Sequence, residues 1–291
     1  MKIEDVIDES ILAVFHDPVL ARCMFLKGGS AMRMLDEERA RLSLDADFSI
    51  PGSIRVQKSF FARVEKSLSH QFAPRYYVFD FLVTLRPKQR KPDQPKWWKG
   101  WLCRFKLIET AHADLPLEAK RRRALIPVGS NSPVIEIEIS EHEYCGAERI
   151  KLIRGVLVHG YTRELLVVEK LRAICQQHPE YRFRSNKNRA RDFYDIYKLC
   201  SGRDPSFFKS CRQHLSAVFA AKDVPVSLLK ALWDEDFLSV QRSGFTQVKD
   251  STKGAVRDFD VYVEYLRYLV GRICPEVSPA ENRGVIPKNR K

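Results

Sequence analysis

Two aspartates carry the first chemical signal. In "RLSLDADFSI", Asp45 and Asp47 stand two residues apart in an alternating run, so on a β-strand both carboxylates leave the same face. Two anions held side by side repel unless a cation lies between them. Hard oxygen donors at this spacing suit Mg²⁺, which takes one or two carboxylates and completes its shell with substrate phosphate oxygens. Just upstream, "FLKGGSAMRML" contains Lys27, Gly28, Gly29 and Ser30. The glycines permit a tight turn, and a helix opening near Ser30 offers free N–H groups and a hydroxyl to a phosphate. Taken singly, each motif is ordinary, because Asp-x-Asp is common on exposed strands and Gly-Gly-Ser in loops. A calcium loop is excluded: counted from Asp45, Ile50 and Val56 stand where glycine and glutamate are required. The glycines match neither a P-loop nor a dinucleotide fingerprint.

In-line displacement at phosphorus between two metal ions calls for a third carboxylate. "VIEIEIS" supplies Glu136 and Glu138 on one face of a strand, and either could lie beside the aspartate strand. Further along, Lys170 shares a helical stripe with Leu166, Val167, Ala173 and Ile174. A lysine so placed either snorkels to solvent or projects into a cleft to meet an anion such as a triphosphate. In "NRARDFYDIYKLC", Asp192 and Asp195 share a helix face, with Arg189 one turn earlier. The plain reading is a surface ion pair, but the apolar flank of Phe193, Ile196, Tyr197 and Cys200 puts Asp192 at the border of the core or of a cleft.

These groups need elements to position them. Apolar residues at helical spacing predict a helix over 3–15, and "CMFLKGG" reads as a short strand ending in a glycine turn. "LSLDADFSI" alternates as a strand does. Ser53 is the expected N-cap of a helix running to about His70. Residues 75–85, 101–109 and 134–140 are strongly β-like, and beyond residue 160 the pattern turns helical over 162–177, 189–200, 204–221, 225–238 and 254–272. The expected organisation is an α/β portion over 1–160, a helical domain over 161–274, and a poorly ordered basic tail over 275–291.

Composition narrows the class. Apolar residues make up 44% of the 291, enough for a real core. Seven cysteines without a C-x-x-C pair argue against a disulfide frame or zinc ribbon, and His142 with Cys145 in "EHEYC" lacks a second ligand pair. No apolar run is long enough to span a bilayer, and the acidic, amphipathic N-terminus is no signal peptide, so the expectation is a cytoplasmic protein without a membrane partner. Fifty Lys and Arg against 37 Asp and Glu leave a net charge of +13. The excess is clustered in 86–101, 120–124, 182–191 and the tail, which favours a polyanionic partner with nucleic acid first. Trp97, Trp98 and Trp101 among the lysines could stack on unpaired bases or anchor a loop on the core.

Jointly and in order, "LKGGSAMRML…RLSLDADF", "IEIEIS", "EKLRA" and "RARDFYDIY" resemble the four motifs of the AbiEii/AbiGii toxins, nucleotidyltransferases of type IV toxin–antitoxin systems related to the MenT toxins. The departures are small: Ser30 and Ala46 stand where the family frequently has threonine and leucine, and the strand motif is the loosest. The resemblance implies an α+β, DNA polymerase β-like nucleotidyltransferase fold, a mixed sheet flanked by helices, followed by a helical C-terminal domain. It further implies that Lys27, Gly28, Gly29, Ser30, Arg41, Ser43 and Arg189 bind the nucleotide phosphates. Asp45 and Asp47 would hold Mg²⁺, or Mn²⁺ in its place, with Glu138 preferred to Glu136 as the third ligand. Lys170 would contact the triphosphate and Asp192, with Asp195 behind it, would support catalysis. The implied co-substrate is an NTP, the acceptor the 3′ end of a tRNA, and the partner an antitoxin. Transfer to a protein or small molecule, and a nucleic-acid-binding protein without catalysis, are the alternatives.

Overall fold

The computed structural model describes residues 1–36, 45–88, 93–95, 98–252 and 255–279. The described residues through Tyr161 form one compact unit, and those from Thr162 onward form a second.

The first unit is built on a seven-stranded mixed sheet. Its strands are β1 (Phe25–Lys27), β2 (Ala46–Ser49), β3 (Tyr76–Arg86), β4 (Gly100–Glu109), β5 (Ile135–Ser140), β6 (Glu148–Ile153) and β7 (Val156–Tyr161), in the spatial order β3-β4-β5-β2-β1-β7-β6. Helices α1 (Ile3–His16), α2 (Pro18–Ala21), α3 (Gly28–Asp36), α4 (Gln57–Phe72) and α5 (Leu117–Arg122) accompany it. Alternation in β2 explains the layering: Ala46 and Phe48 are fully buried, and the Phe48 ring lies 5.9 Å from Phe15 of α1. The opposite face of β2 carries Asp47, leaving a polar surface in the middle of the sheet.

Three local expectations change. The helix expected from Ser53 begins only at Gln57. Ser53 Oγ is held by His142 Nε2 at 2.7 Å and the Ile54 N–H donates to Glu141 Oε1 at 3.3 Å, so this stretch is pinned to the segment after β5 instead of starting a turn. The β6–β7 hairpin has no counterpart among the sequence expectations: Arg154 and Gly155, both at positive φ, form a two-residue turn without the usual Asn-Gly signature. In the second unit, the single helix expected over 225–238 is a 3-10 helix, Val226–Trp233, then α9 (Glu235–Ser243). The break is Asp234, whose extended backbone and side-chain bond from the Phe237 N–H make it an N-cap. The remaining helices of this unit are α6 (Arg163–Cys175), α7 (Ala190–Cys200), α8 (Pro205–Ala220), α10 (Thr246–Ser251) and α11 (Phe259–Ile273). Part of the basic tail, 280–291, lies outside the described residues.

Candidate active site

β1 ends at Lys27 and α3 begins at Gly28 without an intervening loop. Gly28 makes this possible with φ +67°, a left-handed conformation that side chains rarely tolerate. A Cβ added here would overlap the Asp47 carboxylate. The glycine turn and the aspartate strand are therefore packed against each other, although 19 residues of sequence separate them (47 − 28). Ser30 is fully buried and its hydroxyl donates to the Asp45 carbonyl at 2.8 Å. It braces the start of the aspartate strand, while the first-turn N–H groups of α3 lack helical acceptors by construction and can serve an anion.

Strand register assembles the charged face. Asp47 is the direct neighbour of Lys27 on β1 and of Glu138 on β5, so three charged side chains stand in a row across adjacent strands about 4.8 Å apart. Asp45 is exposed, Asp47 half-buried and Glu138 exposed. Glu136 shares that face but is engaged by its cross-strand neighbour, Arg104 Nε, at 2.8 Å. Glu138 makes no ion pair among the described residues. Lys27 Nζ donates to Ser140 Oγ at 3.2 Å and lies 3.6 Å from Glu143 Oε1. Among the described residues no three His, Cys, Asp or Glu side chains converge into a metal cage. The all-oxygen donors of Asp45, Asp47 and Glu138 fit a hard cation whose shell a phosphate would finish, and they fit poorly a cation needing a complete protein cage.

The helical unit holds a second cluster. Lys170 is 4% exposed, and its Nζ donates to Asp192 Oδ1 at 2.9 Å and to Asp195 Oδ2 at 2.8 Å. Arg189 adds a longer contact, 3.5 Å, to Asp192 Oδ2. Lys170 thus neither snorkels nor stands open: two carboxylates from α7 enclose it. Among the described residues, Lys170 and Arg189 face Asp192 and Asp195, and such pairing is how a charged group can remain buried.

The structure brings Lys27, Asp47 and Glu138 side by side with Gly28 packed on Asp47, holds buried Ser30 on the Asp45 backbone, and gathers Lys170, Asp192, Asp195 and Arg189 into one cluster of the second unit. Gly29 follows Gly28 in the first turn of α3. Arg41 and Ser43 lie outside the described residues. Several supporting groups escape sequence reasoning. Glu143, a partner of Lys27, sits in "EHEYC"; the sulfur of Cys145 in the same stretch lies 3.8 Å from the Tyr161 hydroxyl. Gln241 of α9, 1% exposed, accepts the Arg189 N–H at 2.7 Å and so fixes the approach to α7. A glutamine on an amphipathic helix carries no local signal of such a role.

The family model described as nucleotidyl transferase AbiEii toxin, type IV TA system, matches residues 10–265. No curated protein matches the chain. Among solved structures, a candidate nucleotidyltransferase from H. pylori is 13% identical with a TM-score of 0.47, covering 94% of each chain. An antigenic nucleotidyltransferase-like protein from Paracoccidioides brasiliensis is 14% identical with a TM-score of 0.39, over 79% of this chain and 93% of that one.

Proposed function

Because the chain belongs to the AbiEii nucleotidyltransferase toxin family, we propose that this enzyme transfers an NMP from an NTP to the 3′ end of tRNA in a Mg²⁺-dependent reaction. The modified end could no longer be aminoacylated, and translation would stop. Membership brings with it an antitoxin counterpart and an NTP as co-substrate; the acceptor, the ion and the residue roles are the proposal. The observation that carries it is the row Lys27–Asp47–Glu138 across three adjacent strands, with Gly28 packed on Asp47.

Asp45, Asp47 and Glu138 are assigned to hold the divalent ion, Mg²⁺ or Mn²⁺. The bound metal would neutralise charge on the attacking and leaving oxygens. The backbone N–H groups at Gly28, Gly29 and Ser30 are assigned to the phosphates, with Lys27 offsetting their charge. A triphosphate would offer Lys27 a more highly charged anion than a carboxylate such as Glu143. Arg41 and Ser43 keep a phosphate-binding assignment from the family motif. In the helical unit, Lys170 is assigned to a triphosphate contact, with Asp192 and Asp195 holding its ammonium in place; Arg189, which pairs with Asp192, is assigned to the phosphates, and Asp192 is the residue assigned to catalysis there. Chemistry of this kind is positioning and charge neutralisation, with little covalent work for the protein.

RNA is favoured as acceptor by the net charge of +13. The described residues include no helix long and apolar enough to cross a membrane, and the cytoplasm, where NTPs and tRNA meet, is the assigned compartment. The test is incubation with Mg²⁺, each labelled NTP in turn, total RNA and cell lysate, alongside Asp47→Ala. Label on tRNA-sized RNA that disappears in the variant supports the proposal. Label confined to protein or a small metabolite would overturn the acceptor, and no transfer from any NTP would overturn the activity.

A further inference from the structure

The basic clusters of the sequence have different fates in the fold. In the 120–124 cluster, Arg121 is bonded to Asp80 through Nε and the second guanidinium nitrogen at 2.9 and 2.8 Å, and Lys120 lies over the Tyr77 ring at 5.1 Å. Lys99 of the 86–101 cluster pairs with buried Glu141 at 3.4 Å. These three cations serve the fold itself.

The segment 182–191, "RFRSNKNRAR", differs. It contains five cations and no acidic residue. Arg184, Lys187 and Arg191 are exposed and make no ion pair among the described residues. Its backbone, however, is held from both sides. Gln177, 5% exposed, accepts the Ser185 hydroxyl at 3.0 Å and the Lys187 N–H at 2.8 Å on its Oε1. Gln241 accepts the Arg189 N–H, and the Asn188 side-chain amide donates to the carbonyls of Val240 and Gln241 at 2.8 and 3.1 Å. Gly244 completes the seat, because a Cβ there would overlap the Asn188 side chain. A basic stretch with no function beyond solubility needs no such seat. Here two buried glutamines use their hydrogen-bonding capacity to fix the path of a loop from which Arg184, Lys187 and Arg191 face solvent.

We propose that 182–191 is a pre-organised strap that grips the phosphate backbone of the acceptor RNA; this rests on the RNA reading proposed above. A fixed backbone lowers the ordering cost of binding, and cations spaced along it match a polyanion, whereas a protein acceptor would need an acidic patch of matching outline. The strap runs directly into Arg189 and Asp192, so it would hold RNA beside the helical-unit cluster.

The experiment uses the full chain carrying Arg184→Ala, Lys187→Ala and Arg191→Ala together, none of which is assigned to the nucleotide. RNA binding is measured by fluorescence anisotropy with labelled total tRNA over a range of KCl, and Mg²⁺–NTP binding by calorimetry. The triple variant should bind RNA at least tenfold more weakly, with the slope of log K against log salt smaller by about three, one per lost phosphate contact, and unchanged NTP binding. Gln177→Ala, which keeps every charge, should weaken RNA binding while leaving the slope unchanged. If wild type labels RNA and the triple variant binds and labels it equally well, the strap is refuted and the RNA reading survives. If wild type neither binds nor labels RNA, both fail. If wild type labels protein and the triple variant does not, the strap serves a protein and its RNA assignment is overturned.

Discussion

Replacing Gly28 with alanine tests the packing that unites the two halves of the first-unit site. Two separable penalties follow from the geometry. At φ +67° the added methyl group meets its own backbone, costing about 1–2 kcal/mol. It also overlaps the Asp47 carboxylate, and forced overpacking of this kind costs about 1–3 kcal/mol. The sum is about 2–5 kcal/mol for Gly28→Ala, measured by urea unfolding. Because Asp47 must swing away, nucleotidyl transfer should fall at least 100-fold even at temperatures where the variant is folded. The second penalty disappears when the carboxylate is removed, so Gly28→Ala combined with Asp47→Ala should be less destabilised than the sum of the single changes by about 1–3 kcal/mol. Gly52→Ala, where an added Cβ meets nothing within 4 Å, serves as control and should lie within about 0.5 kcal/mol of wild type. A Gly28→Ala protein with wild-type stability and activity, or an additive cycle, would refute the reasoning.

Other outcomes follow from the same geometry. Glu138→Gln should reduce transfer and raise the metal concentration needed far more than Glu136→Gln, since Glu136 is already occupied by Arg104; equal effects in metal-titrated assays would contradict the assignment. Lys170→Met leaves Asp192 and Asp195 facing each other in a buried site and should destabilise the chain by about 3–5 kcal/mol, whereas Lys170→Met together with Asp192→Asn and Asp195→Asn should recover much of that loss without recovering activity. Asp80 is held down to about 2, first by its bonds from Arg121 and then by that from Lys106. A carboxylate depressed in the folded state adds stability above its unfolded pKa and loses it as pH falls through the folded one. Asp80→Asn should therefore weaken the fold at pH 7, with the difference from wild type shrinking between about pH 4 and 2 in thermal melts; a difference independent of pH would sink this assignment.

Much of the local structure around the site is legible in the sequence because its signals are local. Period-two alternation puts Asp47 on the strand face opposite buried Ala46 and Phe48, glycine pairs mark a turn, and Asp192 with Asp195 at helical spacing must share a side. The ordered run of four motifs carried the family. Errors arose where tertiary contacts override local preference: Ser53 looked like an N-cap, but His142 and Glu141 claim that stretch, and Arg154–Gly155 makes a hairpin that no strong turn signature announces.

The sequence by itself determined the residue types, their spacing and the element type around each, since side-chain direction along a helix or strand depends only on neighbours in the chain. Only the tertiary structure decided which distant elements meet. Register between β2 and β5 set Glu138, not Glu136, beside Asp47, and a cross-strand arginine occupied the other carboxylate. Packing of α6 on α7 enclosed Lys170 between two aspartates, and buried glutamines at 177 and 241 turned a charged stretch into a seated strap. Such pairings join residues far apart in the chain, and they follow from how whole faces pack together, which no short window of sequence contains.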